Sequence, residues 1–188
     1  GSGTVHVEAG GTLAGVGFIG GDVMLAGAVA NPANLSPGDP EIAGGIGTLT
    51  LNQDLTLGQD SSVWFTIMGD NLNDKIIAAT LSADTSTLFN VLFDSSYTPQ
   101  LDDTFDLFDW GTAPTIGDIE LTDNLVLPSL PPALFWDTSL FNTDGVLGLI
   151  DAVLPPSIVN QPLTQTVNPG VSVLLEVLAG GSGPFSYQ

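Results

Sequence analysis

The sequence predicts an all-β protein: a glycine-rich β-solenoid stub, then a β-sandwich-like domain, then an unfinished sandwich. Three observations predict it. Apolar and polar residues alternate with period two in short runs divided by glycine, as in Thr4-Val5-His6-Val7 and Thr48-Leu49-Thr50-Leu51. Gly10-Gly11-Thr12-Leu13-Ala14-Gly15 and Gly20-Gly21-Asp22-Val23-Met24-Leu25-Ala26-Gly27 are degenerate copies of one unit, as in stacked rungs that share a core. Two of the three tryptophans, Trp110 and Trp136, and several phenylalanines fall between Phe105 and Ile150, which should hold the best-packed core.

In the first segment, residues 1–60, the runs around Val5, Leu13, Val23, Leu49 and Leu55 read as rungs, with glycines at the corners. The ladder should comprise Val5, Val7, Leu13, Val23, Leu25, Leu49, Leu51, Leu55 and Leu57. Helix is not expected here. Asn31 to Gly47, with Pro32, Pro37 and Pro40, is expected to leave the coil as a loop.

In the second segment, residues 61–153, the strands lengthen: Val63 to Met68, Lys75 to Leu81, Thr87 to Phe93, Thr104 to Phe108, Ile119 to Leu121, Leu134 to Trp136 and Val146 to Ile150. Met68-Gly69-Asp70-Asn71 and Thr143-Asp144-Gly145 supply turns at the spacing of a sandwich. Phe105 to Trp110 is apolar on both faces, so it should be a central strand or one covered on its second side. Val63, Phe65, Ile67, Phe89, Val91, Phe105, Leu107, Trp136 and Leu147 should fill this core.

The third segment, residues 154–188, opens with Pro155-Pro156. Ile158 to Pro162 and the alternating Val171 to Val177 read as sandwich strands joined by the Asn168-Pro169-Gly170 turn. Gly180 to Gly183 reads as another turn, before a strand at Phe185 to Gln188.

Composition limits function more sharply than fold. Of 188 residues, 21 are Asp or Glu and one, Lys75, is basic, for a net charge of −20. Phosphate backbones need clustered Lys and Arg, so nucleic acid is not an expected partner, nor is an anionic membrane surface. Such a surface attracts cations such as Ca²⁺. The chain contains no cysteine, which excludes disulfides, thiol nucleophiles and thiolate metal sites. No run approaches the ~18 to 20 apolar residues of a membrane span, so no membrane insertion is expected. The abrupt opening Gly1-Ser2-Gly3, inside what reads as a repeat, suggests a piece of a longer precursor.

Gly11-Thr12-Leu13-Ala14-Gly15, Leu35-Ser36-Pro37-Gly38, Gly47 to Leu51, Asp54 to Leu57, Asp103 to Phe108 and Trp136-Asp137-Thr138-Ser139 together resemble the autotransporter-associated β-strand repeat proteins, over about residues 3 to 152. These are bacterial surface or secreted proteins. The resemblance implies the end of a right-handed β-helix followed by a β-rich cap, an extracellular or cell-surface location, and a structural or adhesive role without catalytic residues. The segment from Pro155 resembles the start of a bacterial immunoglobulin-like domain, here incomplete or made of exchanged strands.

Candidate chemistry is sparse. Asp70, Asn71 and Asp74, and Asp102, Asp103 and Asp106, place hard oxygen donors on short loops, as Ca²⁺ requires, although neither set fits the EF-hand spacing. His6 and Glu8 should share one outward face, and Lys75 should pair with Asp74 or another acid. Asp137-Thr138-Ser139 lacks the glycine of an aspartic-protease triplet and occurs once where two carboxylates are needed, so it reads as a strand end. The absence of arginine argues against a polysaccharide lyase. The reading is therefore a non-enzymatic stalk or fibre module with no required cofactor. It would self-associate, or join other surface proteins, by adding strands through Ile158, Val167, Val173, Leu175 and Val177. The alternative is an adhesin or glycan-binding module that stacks sugars on Trp64, Trp110 or Tyr97.

Overall fold

The computed structural model describes residues 3–38, 45–111, 115–116, 124–151, 157–162, 164 and 166–180. The chain is all-β with parallel sheets, and it divides into two compact units, Gly1–Ile150 and Asp151–Gln188.

The first unit is built from three parallel ladders. One ladder stacks β1 (Val5–Glu8), β4 (Val23–Ala26), the second half of β6 (Thr48–Leu57), the second half of β9 (Lys75–Ala83) and β13 (Thr115–Ile116). A second stacks β2 (Thr12–Gly15), β5 (Ala33–Pro37), β7 (Ser61–Gly69), β10 (Leu88–Phe93) and β14 (Leu125–Val126). The third stacks β3 (Gly17–Ile19), the first halves of β6 and β9, and β12 (Phe108–Trp110). Only the two-residue β8 (Leu72–Asn73) pairs antiparallel in these sheets among the described residues, against β7. Within one ladder Val5 lies opposite Val23, Val23 opposite Leu55, and Leu55 opposite Leu81. Because side chains alternate along a strand, this register turns the same apolar set inward at each pass.

Long strands serve two ladders by bending. In β6, Leu51 pairs with Ala78 while Asp54 pairs with Thr80, which puts one extra residue on β6 and makes a bulge at Asn52-Gln53. The residues before the bulge pair with β3 and those after it with β4. Strand pairing of β5 with β7 and of β6 with β9 runs across the boundary expected at residue 60.

Three expectations for the first unit require correction. Asn31 to Gly47 is not all loop: Ala33–Pro37 is a strand between β2 and β7, and Ala33, Leu35 and Pro37 are buried. The inward alternation prevails because Pro37 sits at the strand end, where a missing N–H disturbs the ladder least. Phe105 to Trp110 is not one strand. It breaks at Leu107 into β11 (Thr104–Asp106), antiparallel to β16 (Val146–Asp151), and β12, parallel to β9. The change of sheet explains the apolar pattern, since Phe105, Leu107 and Phe108 are all buried on switching sides. The Thr143-Asp144-Gly145 turn is the end of a four-residue helix, α1 (Phe141–Asp144), closed by Gly145 at φ 70°. The expected strand at Ile119 to Leu121 lies outside the described residues.

A three-stranded antiparallel sheet, β11, β16 and β15 (Leu134–Asp137), completes this unit. Every side chain expected in the two cores is found there, with Val5, Leu13 and Trp136 partly buried at the edge. The aromatic rings form two clusters. Phe108 meets Phe65, Phe89 and Phe141 edge-on, at 5.0, 5.8 and 6.3 Å between centroids. Trp136 stacks on Phe93 at 5.6 Å and meets Phe105 at 5.8 Å. Gly145 holds the junction, because its carbonyl accepts from the N–H groups of Leu107 and Phe108. A methyl group there would lie 2.6 Å from the Phe108 Cβ.

In the second unit β17 (Ser157–Asn160) pairs antiparallel with β18 (Leu178–Gly180). The Asn168-Pro169-Gly170 turn is present, but Val171 to Val177 is not a strand, and its side chains are exposed. Alternation produces a strand only where a second layer covers one of its faces. The residues from 181 onward, where a turn and a further strand are expected, lie outside the described residues.

Phe108→Ala should lower unfolding free energy by about 3–5 kcal/mol, whereas Phe18→Ala, at a side chain 80% exposed, should change it by no more than about 0.5 kcal/mol. Urea titration of both variants checks the contrast.

Candidate functional site

Of the six proposed calcium ligands, Asp70, Asn71, Asp74, Asp103 and Asp106 each have a side-chain oxygen that accepts from a neighbouring protein donor. Asp70 Oδ1 accepts from the Thr104 N–H at 2.9 Å and from the Asn71 amide at 3.2 Å. Asn71 and Asp102 take left-handed backbone at φ 50° and 67°, the turn conformation that Asn and Asp tolerate best. The Asp102 N–H donates to Leu149. Asp103 Oδ2 accepts from the Tyr97 hydroxyl and from the Gln100 N–H. Burial and this carboxylate push the Tyr97 hydroxyl pKa up. Among the described residues no three acids or histidines gather as a metal site. His6 and Glu8 are exposed on the outer face of β1.

Asp74 is the buried acid, 2% exposed. One carboxylate oxygen accepts from the Gly47 N–H and the other from the Thr66 N–H, both at 2.8 Å. It thereby joins the loop before β6 to the middle of β7. Gly38, at φ 86°, lies so close that any side chain there would strike Asp74 Oδ1 and the Gly45 carbonyl. Burial raises the Asp74 pKa above 3.8, and the two backbone donors offset this in part. The next residue, Lys75, turns away from Asp74 and bridges Asp106 and Asp109. Burial lowers its pKa, but hydrogen bonds and charge from the two acids prevail, and the net direction is up.

Asp137-Thr138-Ser139 is a strand-end turn in which the Ser139 N–H donates to Asp137 Oδ1 at 2.9 Å. Asp84 with Ser86 and Asp94 with Ser96 repeat it at 2.9 and 2.8 Å. In each case the serine hydroxyl and N–H hold the carboxyl below its ordinary range. Sequence reading noted one of the three; the recurrence of Asp-x-Ser after a strand is the signal that would have found the others.

Of the aromatic residues considered for sugar stacking, Trp110 and Tyr97 pack against the core. Trp64 is 37% exposed, and its Nε1 donates to Asn34 Oδ1 at 3.2 Å, which holds the ring on the outer face of β7. Cavities elsewhere among the described residues include two that bear on this question. One of about 110 Å³ is lined by Val29, Pro32, Asp60, Ser62 and Ser86, and one of about 660 Å³ by Asn160, Leu175, Glu176 and Val177. Each has a single carboxylate in its lining. The proposed assembly residues Ile158, Val167, Val173, Leu175 and Val177 are all exposed, between 40% and 62%.

Asp74→Asn leaves one of two backbone N–H groups facing an amide N–H, and should cost about 2–3 kcal/mol. Between 3.8 and its raised folded pKa the folded state holds more of the Asp74 proton than the unfolded state, so this group's contribution to stability rises as pH falls through that window. Wild type should therefore gain on Asp74→Asn as pH is lowered from neutral toward about 4, in urea titrations at stepped pH.

No protein-family model matches this chain, and no curated protein matches it.

Proposed function

We propose that this chain is a non-enzymatic structural module of a bacterial extracellular or surface protein, a β-solenoid coil that serves as a stalk or fibre segment. The observation that carries the reading is the repeated parallel register of one apolar ladder, Val5 to Val23 to Leu55 to Leu81. Three ladders visited in turn are what a coil of stacked rungs requires, and a face-to-face sandwich would be dominated by antiparallel pairs. Rungs held by backbone hydrogen bonds and side-chain ladders resist bending without disulfides. The resemblance to autotransporter-associated repeats supports the extracellular bacterial setting.

The module associates head to tail by strand addition. In its second unit the described side chains are almost all exposed, and they include Ile158, Val159, Val173, Leu174 and Leu175. A two-stranded hairpin without a covered face is marginal in water, so this surface gains by pairing with another copy.

A second reading rests on Trp64, whose anchored and exposed ring suits stacking on a sugar. Sedimentation velocity over rising concentration tests the main reading. Growing assemblies are expected, and Ile158→Asp combined with Val173→Asp and Leu175→Asp should return monomer. A wild-type chain that stays monomeric throughout overturns self-association. Glycan-array binding lost in Trp64→Ala would instead favour the second reading.

A further inference from the structure

Lys75 is the only lysine of the chain, and there is no cysteine to cross-link it. Lys75 opens β9, Asp106 closes β11 and Asp109 is the middle residue of β12. The Lys75 Nζ touches Asp106 Oδ2 and lies 2.7 Å from Asp109 Oδ2, with the lysine side chain 20% exposed. One ammonium thus bears on two carboxylates from two different sheets.

A second, independent observation concerns the far oxygen of the same carboxylate. Asp106 Oδ1 is buried and has no hydrogen-bond partner. A charged carboxylate oxygen in that position is costly, whereas the less charged oxygen of an amide is tolerated at a lower cost. The backbone also holds both reactants in place. Asn73 Nδ2 donates to the Asp106 carbonyl at 2.8 Å, and the Ile76 N–H donates to the Leu107 carbonyl at 2.9 Å. Amine and carboxyl are therefore clamped by the residues on either side of them, which gives a high effective concentration.

We propose that Lys75 and Asp106 condense to an intramolecular amide, with Asp109 carrying the proton. The Lys75 ammonium gives a proton to Asp109 Oδ2, which passes it to Asp106 Oδ2, and the freed amine attacks Cγ of the resulting neutral carboxyl to form the N–C bond. The nitrogen then loses a second proton, by way of Asp109, to the same Oδ2, and the C–Oδ2 bond breaks to release water. Both hydrogens of that water come from the ammonium, the opposite charges of the pair disappear, and no oxidant is needed. In the product the amide N–H donates to Asp109, while Oδ1 becomes the amide oxygen. The two acids favour the protonated form of Lys75. The bond closes a loop between residues 31 positions apart and fastens β9 to β11, as a disulfide would.

Intact-mass measurement on the full chain, folded at neutral pH and then denatured, tests this. The expected mass is one water below that of the sequence. Because the chain has one basic residue and no arginine, trypsin should leave the denatured protein uncut when Lys75 is acylated. Asp109→Asn should restore the full mass of its own sequence and the cut after Lys75. Asp106→Asn should lose ammonia in place of water, which locates the bond. A wild-type chain at full sequence mass, cut by trypsin into two fragments, overturns the proposal and leaves an ion pair. Amide formation that persists in Asp109→Asn overturns the role of Asp109. The wild-type measurement is made on denatured protein, so it stands even where a variant fails to fold.

Discussion

Parallel pairing in constant register is the constraint on which the rest of this structure depends. A parallel ladder fixes which residue lies above which, and the two-residue period then sends alternate side chains to one side at every pass. Leu55 is inward because Val23 is inward one pass earlier and Leu81 one pass later. A slip of one residue in any strand would turn a whole row of leucines to water. The extra residue in β6 at Asn52-Gln53 lets the chain turn between two ladders while each half keeps its own register.

Polar groups settle the places that ladders cannot. Asp74 accepts two backbone N–H groups from separate segments, and Gly38 leaves it room. Three Asp-x-Ser turns end strands at the surface, where a carboxylate satisfies the N–H groups that the ladder releases. Much of the chain's acidity is therefore used in turns, and a high count of aspartates does not by itself make a binding site. The lone cation is spent on two acids at the meeting of β9, β11 and β12, the same junction that the aromatic rings of Phe105 and Phe108 fill from inside.

The two units differ in what their apolar residues have to work with. In the first, Phe141 is brought against Phe89 and Phe108 by a single turn of helix, and burial is complete. In the second, an equally apolar stretch from Val171 to Val177 finds no covering layer among the described residues, and it does not form the strand its alternation suggests.

The sequence by itself determined the β class, many of the inward residues of the core, such as Leu25, Leu55, Phe65 and Phe89, the expected strands from Val63 to Phe93 and from Leu134 to Ile150, and the use of Asp137 at a strand end. These depend on local rules, period-two alternation and turn chemistry, that a short window of residues contains. Tertiary structure alone decided that Ala33–Pro37 enters a sheet, that the chain changes sheets at Leu107, that Lys75 reaches Asp106 and Asp109 while Asp74 turns inward, and that the parallel ladders continue past residue 60. Each of these depends on which distant strand lies alongside, and pairing between residues some twenty to thirty positions apart leaves no mark in either segment taken alone.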